Sequence, residues 1–256
     1  MKNENYEEDV IRYLERFSFK VTKIPESSIK TPDFLIEGEE NVLIELKTKF
    51  DSKELHAKQS KTLKADDIFQ HGELTGYTGK IAKVISAGKD QLKAQKQTTQ
   101  SQFCFLFLIA NGVTSSSQIK QFISTLYGCM PIIDLECKTG RAKNCFYFTE
   151  SQFFRCKDIL DGAFLVNLAN GEAQLALNDQ SNNYSSLKQS KFFEKCSPHI
   201  PVIDPIGQEE QGYIYIADCK LNRRDSDEVK KYVFDKYNIS KGMLHNFKNV
   251  VFQSNL

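Results

Sequence analysis

The twenty residues from Thr31 to Phe50, TPDFLIEGEENVLIELKTKF, constrain this chain more than any other stretch. They read as two short strands, one beginning at Pro32 and one at Val42, joined by the turn Glu37-Gly38-Glu39-Glu40-Asn41. Successive side chains of a strand point to opposite faces. Val42, Ile44 and Leu46 therefore share a face suited to a buried core, and Glu45 and Lys47 share the other. Folding the two strands together brings Asp33 toward the same polar point.

Two carboxylates on paired strands are hard oxygen ligands that suit Mg²⁺ or Mn²⁺. Such an ion lowers the pKa of a bound water and offsets charge on a phosphate. An adjacent ammonium steers the water and steadies the oxyanion. Taken alone, Glu45-Leu46-Lys47 equally fits an exposed ion pair on an edge strand. With Pro32-Asp33 ahead of it, the pattern resembles the PD-(D/E)XK, or restriction-endonuclease-like, nuclease superfamily. That resemblance implies metal-dependent phosphodiester cleavage by Asp33, Glu45 and Lys47. It also implies that Asp33, Glu45 and the Leu46 carbonyl hold the ion, with Glu7 of the first helix as a further acid. The same resemblance puts a Gln or Lys of the later helix near the scissile phosphate. Lys49, Gln91, Lys93 and Gln95 are the candidates for nucleic-acid contact.

The flanking elements support this placement. Asn5 to Phe17 reads as an amphipathic helix, with Tyr6, Val10, Tyr13, Leu14 and Phe17 at helical spacing. Glu7 falls beside that stripe and Glu8 opposite it. Phe19 to Ile24 alternates as a strand. Residues 51–78 have few apolar anchors before Ile68-Phe69 and read as an insertion, part helix and part loop, beside the substrate groove. Lys80 to Gln97 reads as a helix with Ile81, Val84, Ile85 and Leu92 inward, Gln91 and Lys93 near its apolar edge, and Gly88 a weak point. Phe103 to Ala110 is apolar throughout, as in a strand covered on both faces. The order α-β-β-β-α-β over residues 1–115 resembles the common core of that superfamily.

Residues 116–256 alternate between short elements: a helix over 119–127, strands over 132–136 and 145–148, and a hairpin of 163–168 and 173–177 around Asn170-Gly171. A helix over 186–195, a strand over 213–217 and a helix from the Asp225/Glu228 capping pattern to Tyr237 complete the series. No Pro-, Gly- or Ser-rich linker divides the chain. The expected class is thus α/β (α+β): a restriction-endonuclease-like core with a C-terminal α+β extension packed on it as one structural unit.

Composition bears on partners and location. Between Lys47 and Lys96 stand eleven lysines against six acids, a surface suited to phosphates despite a net charge of only +1. No apolar run is long enough to span a membrane and the opening residues lack a signal-peptide core. Seven irregularly spaced cysteines suit a reducing compartment, so a cytoplasmic location is expected. Cys129, Cys137, Cys145 and Cys156 match no zinc spacing, and Cys196 with His199 lacks two further ligands. Asp134 and Glu136 share a strand face but lack a partner motif. No phosphate-cradling glycine loop is present. The expectation is a Mg²⁺- or Mn²⁺-dependent nuclease acting on nucleic acid, with DNA favoured, in restriction, defence, repair or mobile-element processing. A homodimer and a targeting partner protein both fit that chemistry. The alternatives are an inactive nuclease fold that binds nucleic acid or serves as a scaffold, and an unrelated α/β protein.

Overall fold

The computed structural model describes residues 6–25, 31–137 and 140–254. In chain order these form α1 (Glu7–Glu15), β1 (Lys20–Lys23), β2 (Phe34–Glu37), β3 (Val42–Phe50), α2 (Lys53–Lys64), β4 (Phe69–Leu74), α3 (Gly79–Lys96), β5 (Phe103–Asn111), α4 (Ser115–Tyr127), β6 (Met130–Asp134) and β7 (Ala142–Phe146). There follow α5 (Gln152–Arg155), β8 (Gly162–Asn167), β9 (Glu172–Leu177), α6 (Tyr184–Gln189), α7 (Lys191–Cys196), β10 (Val202–Ile203), α8 (Pro205–Glu210), β11 (Tyr215–Ile216), α9 (Ser226–Lys236), β12 (Gly242–Leu244) and β13 (Lys248–Gln253).

The fold is mixed α/β. Its main sheet has seven strands in the order β1-β2-β3-β5-β8-β9-β10. β1, β2 and β3 form an antiparallel meander. β5 then lies parallel to β3 over nine residue pairs, Val42↔Phe103 to Phe50↔Asn111, and β8 lies parallel to β5. The hairpin around Asn170-Gly171 forms as expected, with β9 antiparallel to β8. The second half of the chain therefore continues the sheet begun by the first. A four-stranded sheet (β11-β7-β6-β12) and the β4–β13 ribbon flank it.

Apolar alternation splits the core into two layers. On one face, Val42, Ile44, Phe105, Phe107 and Phe164 pack against Val10 and Leu14 of α1, Phe17 in the turn after it and Phe192 of α7. On the other, Leu43, Leu106 and Leu108 pack against Ile81, Ile85 and Leu92 of α3 and Phe122 and Leu126 of α4. β5 is buried on both sides, which is why its sequence is unbroken by polar residues. Glu45 and Lys47 belong to the face covered by α3.

Several expectations are corrected. Residues 51–78 are not only helix and loop: β4 lies within them and pairs along its whole length with β13 near the chain's end. Its polar sequence, FQHGEL, hides a strand whose partner lies far away in sequence. Val84 is 41% exposed rather than inward, because α3 turns only Ile81, Ala82, Ile85, Gly88 and Leu92 to the sheet. The helix expected over 186–195 is two helices that meet at Ser190, whose extended backbone ends α6 and whose hydroxyl accepts from the Phe193 N–H to start α7. Strand β6 ends at Asp134, where the Asp134 carboxylate accepts from the Glu136 N–H and turns the chain.

Candidate active site

The geometry of the site follows from strand register. Phe34 pairs with Ile44, and β2 begins there. β3 runs on for six more residues, with β5 on one side and, beyond Ile44, no strand partner among the described residues on the other. Asp33 stands at that open edge. Its Oδ2 accepts from the Leu46 N–H at 2.7 Å, taking the place of a missing strand partner. A strand residue sends its N–H and C=O to the same side, so the Leu46 carbonyl also faces the Asp33 edge.

Glu45 is fully buried. Its Oε1 receives the Lys47 ammonium, while its Oε2 is also buried. Burial, and next the charge of Asp33, push the Glu45 carboxyl up to about 8, against the pull of Lys47. Asp33 is also raised, by burial first, with the Leu46 N–H and Lys47 opposing. The two acids also share a side-chain hydrogen bond, which raises Glu45 further and lowers Asp33, so one proton is held between them.

Lys47 is held from the other side by Gln91. The ammonium donates to Gln91 Oε1 at 3.0 Å, and Gln91 Nε2 donates to the Thr31 carbonyl at 2.9 Å. Gln91 thereby ties α3 to the start of the motif segment. Helix α3 can approach this closely because of Gly88. A Cβ there would stand 2.7 Å from Leu106 Cδ2, 3.2 Å from Glu45 Cγ and 3.7 Å from Lys47 Cε.

The remaining candidates divide. Glu7, on α1, bonds Lys23 at 2.6 Å, and its charge is felt at Asp33, so it borders the site without standing between the two acids. Gln95 lies one turn beyond Gln91, on the same side of α3 as Gly88. Lys93 is exposed and lies well off that face, which corrects its expected place at the apolar edge. Lys49 continues the Glu45–Lys47 row along β3 but is half-buried, its ammonium donating to Gln121 Oε1 at 2.6 Å. Burial pushes its pKa down. Thr31 and Gln121 carry no site signal in the sequence, and Gly88 reads there only as a weak point in its helix.

Among the described residues no cluster of three or more His, Cys, Asp or Glu side chains is placed to hold a metal. What the site offers is two carboxylates and a main-chain carbonyl, a set that fits a hard ion which keeps several waters. Cys129, Cys145, Cys156 and Cys196 are buried, and the His199 ring packs near Phe17. Among the described residues no helix is long and apolar enough to cross a membrane. Compared with protein-family models, curated proteins and solved structures, the chain matches none.

Proposed function

We propose that this protein is a metal-dependent nuclease of the PD-(D/E)XK type that hydrolyses phosphodiester bonds in nucleic acid, with DNA favoured. The observation that carries the reading is the convergence of Asp33 with a fully buried Glu45, each perturbing the other's ionisation, beneath an ammonium supplied two residues later. With α2 and β4 set aside as an insertion, the order α1-β1-β2-β3-α3-β5, with Asp33 just ahead of β2 and Glu45 and Lys47 on β3, fits the restriction-endonuclease-like core, and β8 to β10 extend its sheet.

In this reading Asp33, Glu45 and the Leu46 carbonyl hold Mg²⁺ or Mn²⁺, which supplies a nucleophilic water at neutral pH and charge neutralisation at the phosphate. Lys47 orients the attacking water and stabilises the negative charge that grows on the phosphoryl oxygens. Gln91 fixes the direction of the Lys47 ammonium by accepting one of its three hydrogens. Gly88 lets α3 close over the acids and keep them dry, which strengthens every charge interaction in the site. The tie of Asp33 to the Leu46 N–H sets the carboxylate before any ligand arrives.

Titration with Mg²⁺ and Mn²⁺, followed by cleavage assays on linear, circular and single-stranded DNA and on RNA, tests the proposal. Cleavage by the wild type and its loss in folded Glu45→Ala and Lys47→Ala support it. Binding without cleavage under either ion favours an inactive nuclease fold that serves as a nucleic-acid-binding module or scaffold. Neither binding nor cleavage leaves an α/β protein of other function.

A further inference from the structure

Helix α2 adds nothing to the core. None of its twelve residues is buried, although Ser52 caps it by accepting from the Leu55 N–H. Its inner side, with Leu55, Gln59 and Leu63, is half-buried, and Gln59 bonds Gln253 of β13. On a wheel of 100° per residue, Lys53, Lys61 and Lys64 fall within about 80° of one another on the opposite side, and Lys58 about 60° farther round. All four lysines are exposed, and among the described residues none of their ammonium groups meets a carboxylate. The one acid of the helix, Glu54, is held in the first turn by its own N–H and the Ser52 hydroxyl. Asp66 and Asp67 lie beyond the last turn, where Asp67 accepts from the Ile68 N–H. The helix dipole favours cations at a carboxyl end, which accounts for Lys61 and Lys64. Lys53 stands at the other end, where the dipole opposes it, so helix stability does not explain the whole row.

Strand β3 leads from the acids straight to this helix. Lys47 and Lys49 follow Glu45 along the strand, and with Lys80 they line a recess of about 210 Å³. Lys49 and Lys80 also line a cleft of about 420 Å³ that takes in Ser52 and Leu55 at the start of α2. The acids of that cleft are engaged within the protein, Asp51 by Thr114 and Gln118, and Glu73 by Gln121. From Lys47 to Ser52 the chain advances about 17 Å, and α2 adds no more than about 18 Å. Cations therefore recur over at most about 35 Å on one side of the acids.

Exposed cations without acid partners complement a polyanion, whose condensed counterions they release on binding. We infer that the outer face of α2 holds the phosphate backbone of the substrate on one flank of the cut, with Lys53, Lys61 and Lys64 as its contacts. Lys80 continues the same contact toward the acids. The inference rests on the nuclease reading for the nature of the partner. Phosphate contacts position a substrate and carry no base information, so this face gives affinity and register without sequence preference. At 3.4 Å per base pair, the flank it holds is no longer than about ten base pairs.

The test measures binding of a fluorescent DNA duplex of about twenty base pairs, enough to fill either flank, to the full chain between about 50 and 200 mM salt. Divalent ions are chelated, so no cleavage is needed. Lys53→Gln/Lys61→Gln/Lys64→Gln removes three charges at nearly unchanged helix propensity and touches no buried residue. Its affinity should fall at least about tenfold, and the slope of log K against log salt should shrink by about 2–3. Lys157→Gln/Lys220→Gln/Lys231→Gln, at three exposed lysines of the second half, removes the same charge and should bind within about twofold of wild type. A wild-type slope smaller than about 2, or no binding by the wild type, overturns the inference whether or not the variants fold. An α2 variant with wild-type affinity and slope overturns it too, as does an equal loss in the second-half variant. Unchanged binding by the α2 variant with metal-dependent cleavage by the wild type sinks the helix face and spares the nuclease. Weakened binding by that variant with no wild-type cleavage under any ion does the reverse.

Discussion

Gly88 lies directly against Glu45: a Cβ placed on the glycine would stand 3.2 Å from Glu45 Cγ. This approach sets how far α3 can close over the acids. Gly88→Ala gains helix propensity of about 1 kcal/mol but must displace Leu106 Cδ2, 2.7 Å away in a fully buried side chain. The two effects nearly cancel in stability. Gly88→Val adds bulk with nowhere to go and should cost roughly 1–3 kcal/mol. Both variants shift Gln91 and Lys47, so cleavage should fall more than tenfold even in the alanine variant, whose melting temperature changes little. Parallel melting and cleavage measurements check this; unchanged cleavage in Gly88→Ala removes the role given to the close approach.

Glu45 makes stability depend on pH in a defined direction. Its carboxyl is pushed up to about 8 from an ordinary value of 4.5, by burial and then by Asp33. The folded state thus keeps a proton that the unfolded chain releases between those values. The stabilisation is complete below about pH 4.5 and is lost as pH rises toward 8. Metal-free wild type should lose on the order of 3–5 kcal/mol relative to Glu45→Gln between pH 5 and pH 8.5. Urea melts of both proteins with a chelator present read this directly. A wild-type curve parallel to that of Glu45→Gln shows that Glu45 ionises at its ordinary pH.

In the proposed function Asp33 has a second job beside its bond to the Leu46 N–H, and the two separate by substitution. Asp33→Asn keeps an oxygen to accept from the Leu46 N–H, so the strand edge stays intact while half the charge of the acid pair is lost. Cleavage should drop at least about a thousandfold, with stability equal to or above wild type near pH 8, because the repulsion felt by Glu45 is removed. Asp33→Ala should lose activity equally but also cost about 1–2 kcal/mol for the orphaned amide. Comparable activity in Asp33→Asn and wild type sinks the assignment of Asp33 to the ion.

The motif strands were legible because their alternation is set by neighbours close in sequence: β3 and β5 need one buried face and two, and their residues say so. The elements that escaped are those decided at a distance. β4 carries polar residues because its inner face meets Gln121 and its partner is β13. Gly88 reads as a weak helical position until β3 is placed beneath it. Gln91 was named for its helix and its likeness to the superfamily, yet its tie to Lys47 and Thr31 depends on where α3 crosses the sheet. Lys93, two residues on, points elsewhere for the same helical reason. That Asp33, Glu45 and Lys47 meet was readable from strand spacing, and how closely α3 covers them only from packing.

Asp161 supplies a control for all of these variants, far from the chemistry but deep in the sheet. It is 1% exposed and accepts from the Cys104 N–H at 2.8 Å, the Ser181 hydroxyl at 2.5 Å and Asn183 Nδ2 at 3.1 Å. It therefore joins the start of β5 to the loop after β9. Burial raises its pKa while these three donors pull against that shift. Asp161→Ala leaves three donors without an acceptor and should cost roughly 3–5 kcal/mol. Where the protein remains folded, kcat should stay within about twofold of wild type, since nine residue pairs hold β5 against β3 without the Asp161 bond at Cys104. Melting temperature and kcat measured together check it. A variant that keeps its stability shows the donors to be satisfied elsewhere, and one that stays folded but loses kcat shows that the register of β5 against β3 governs the acids.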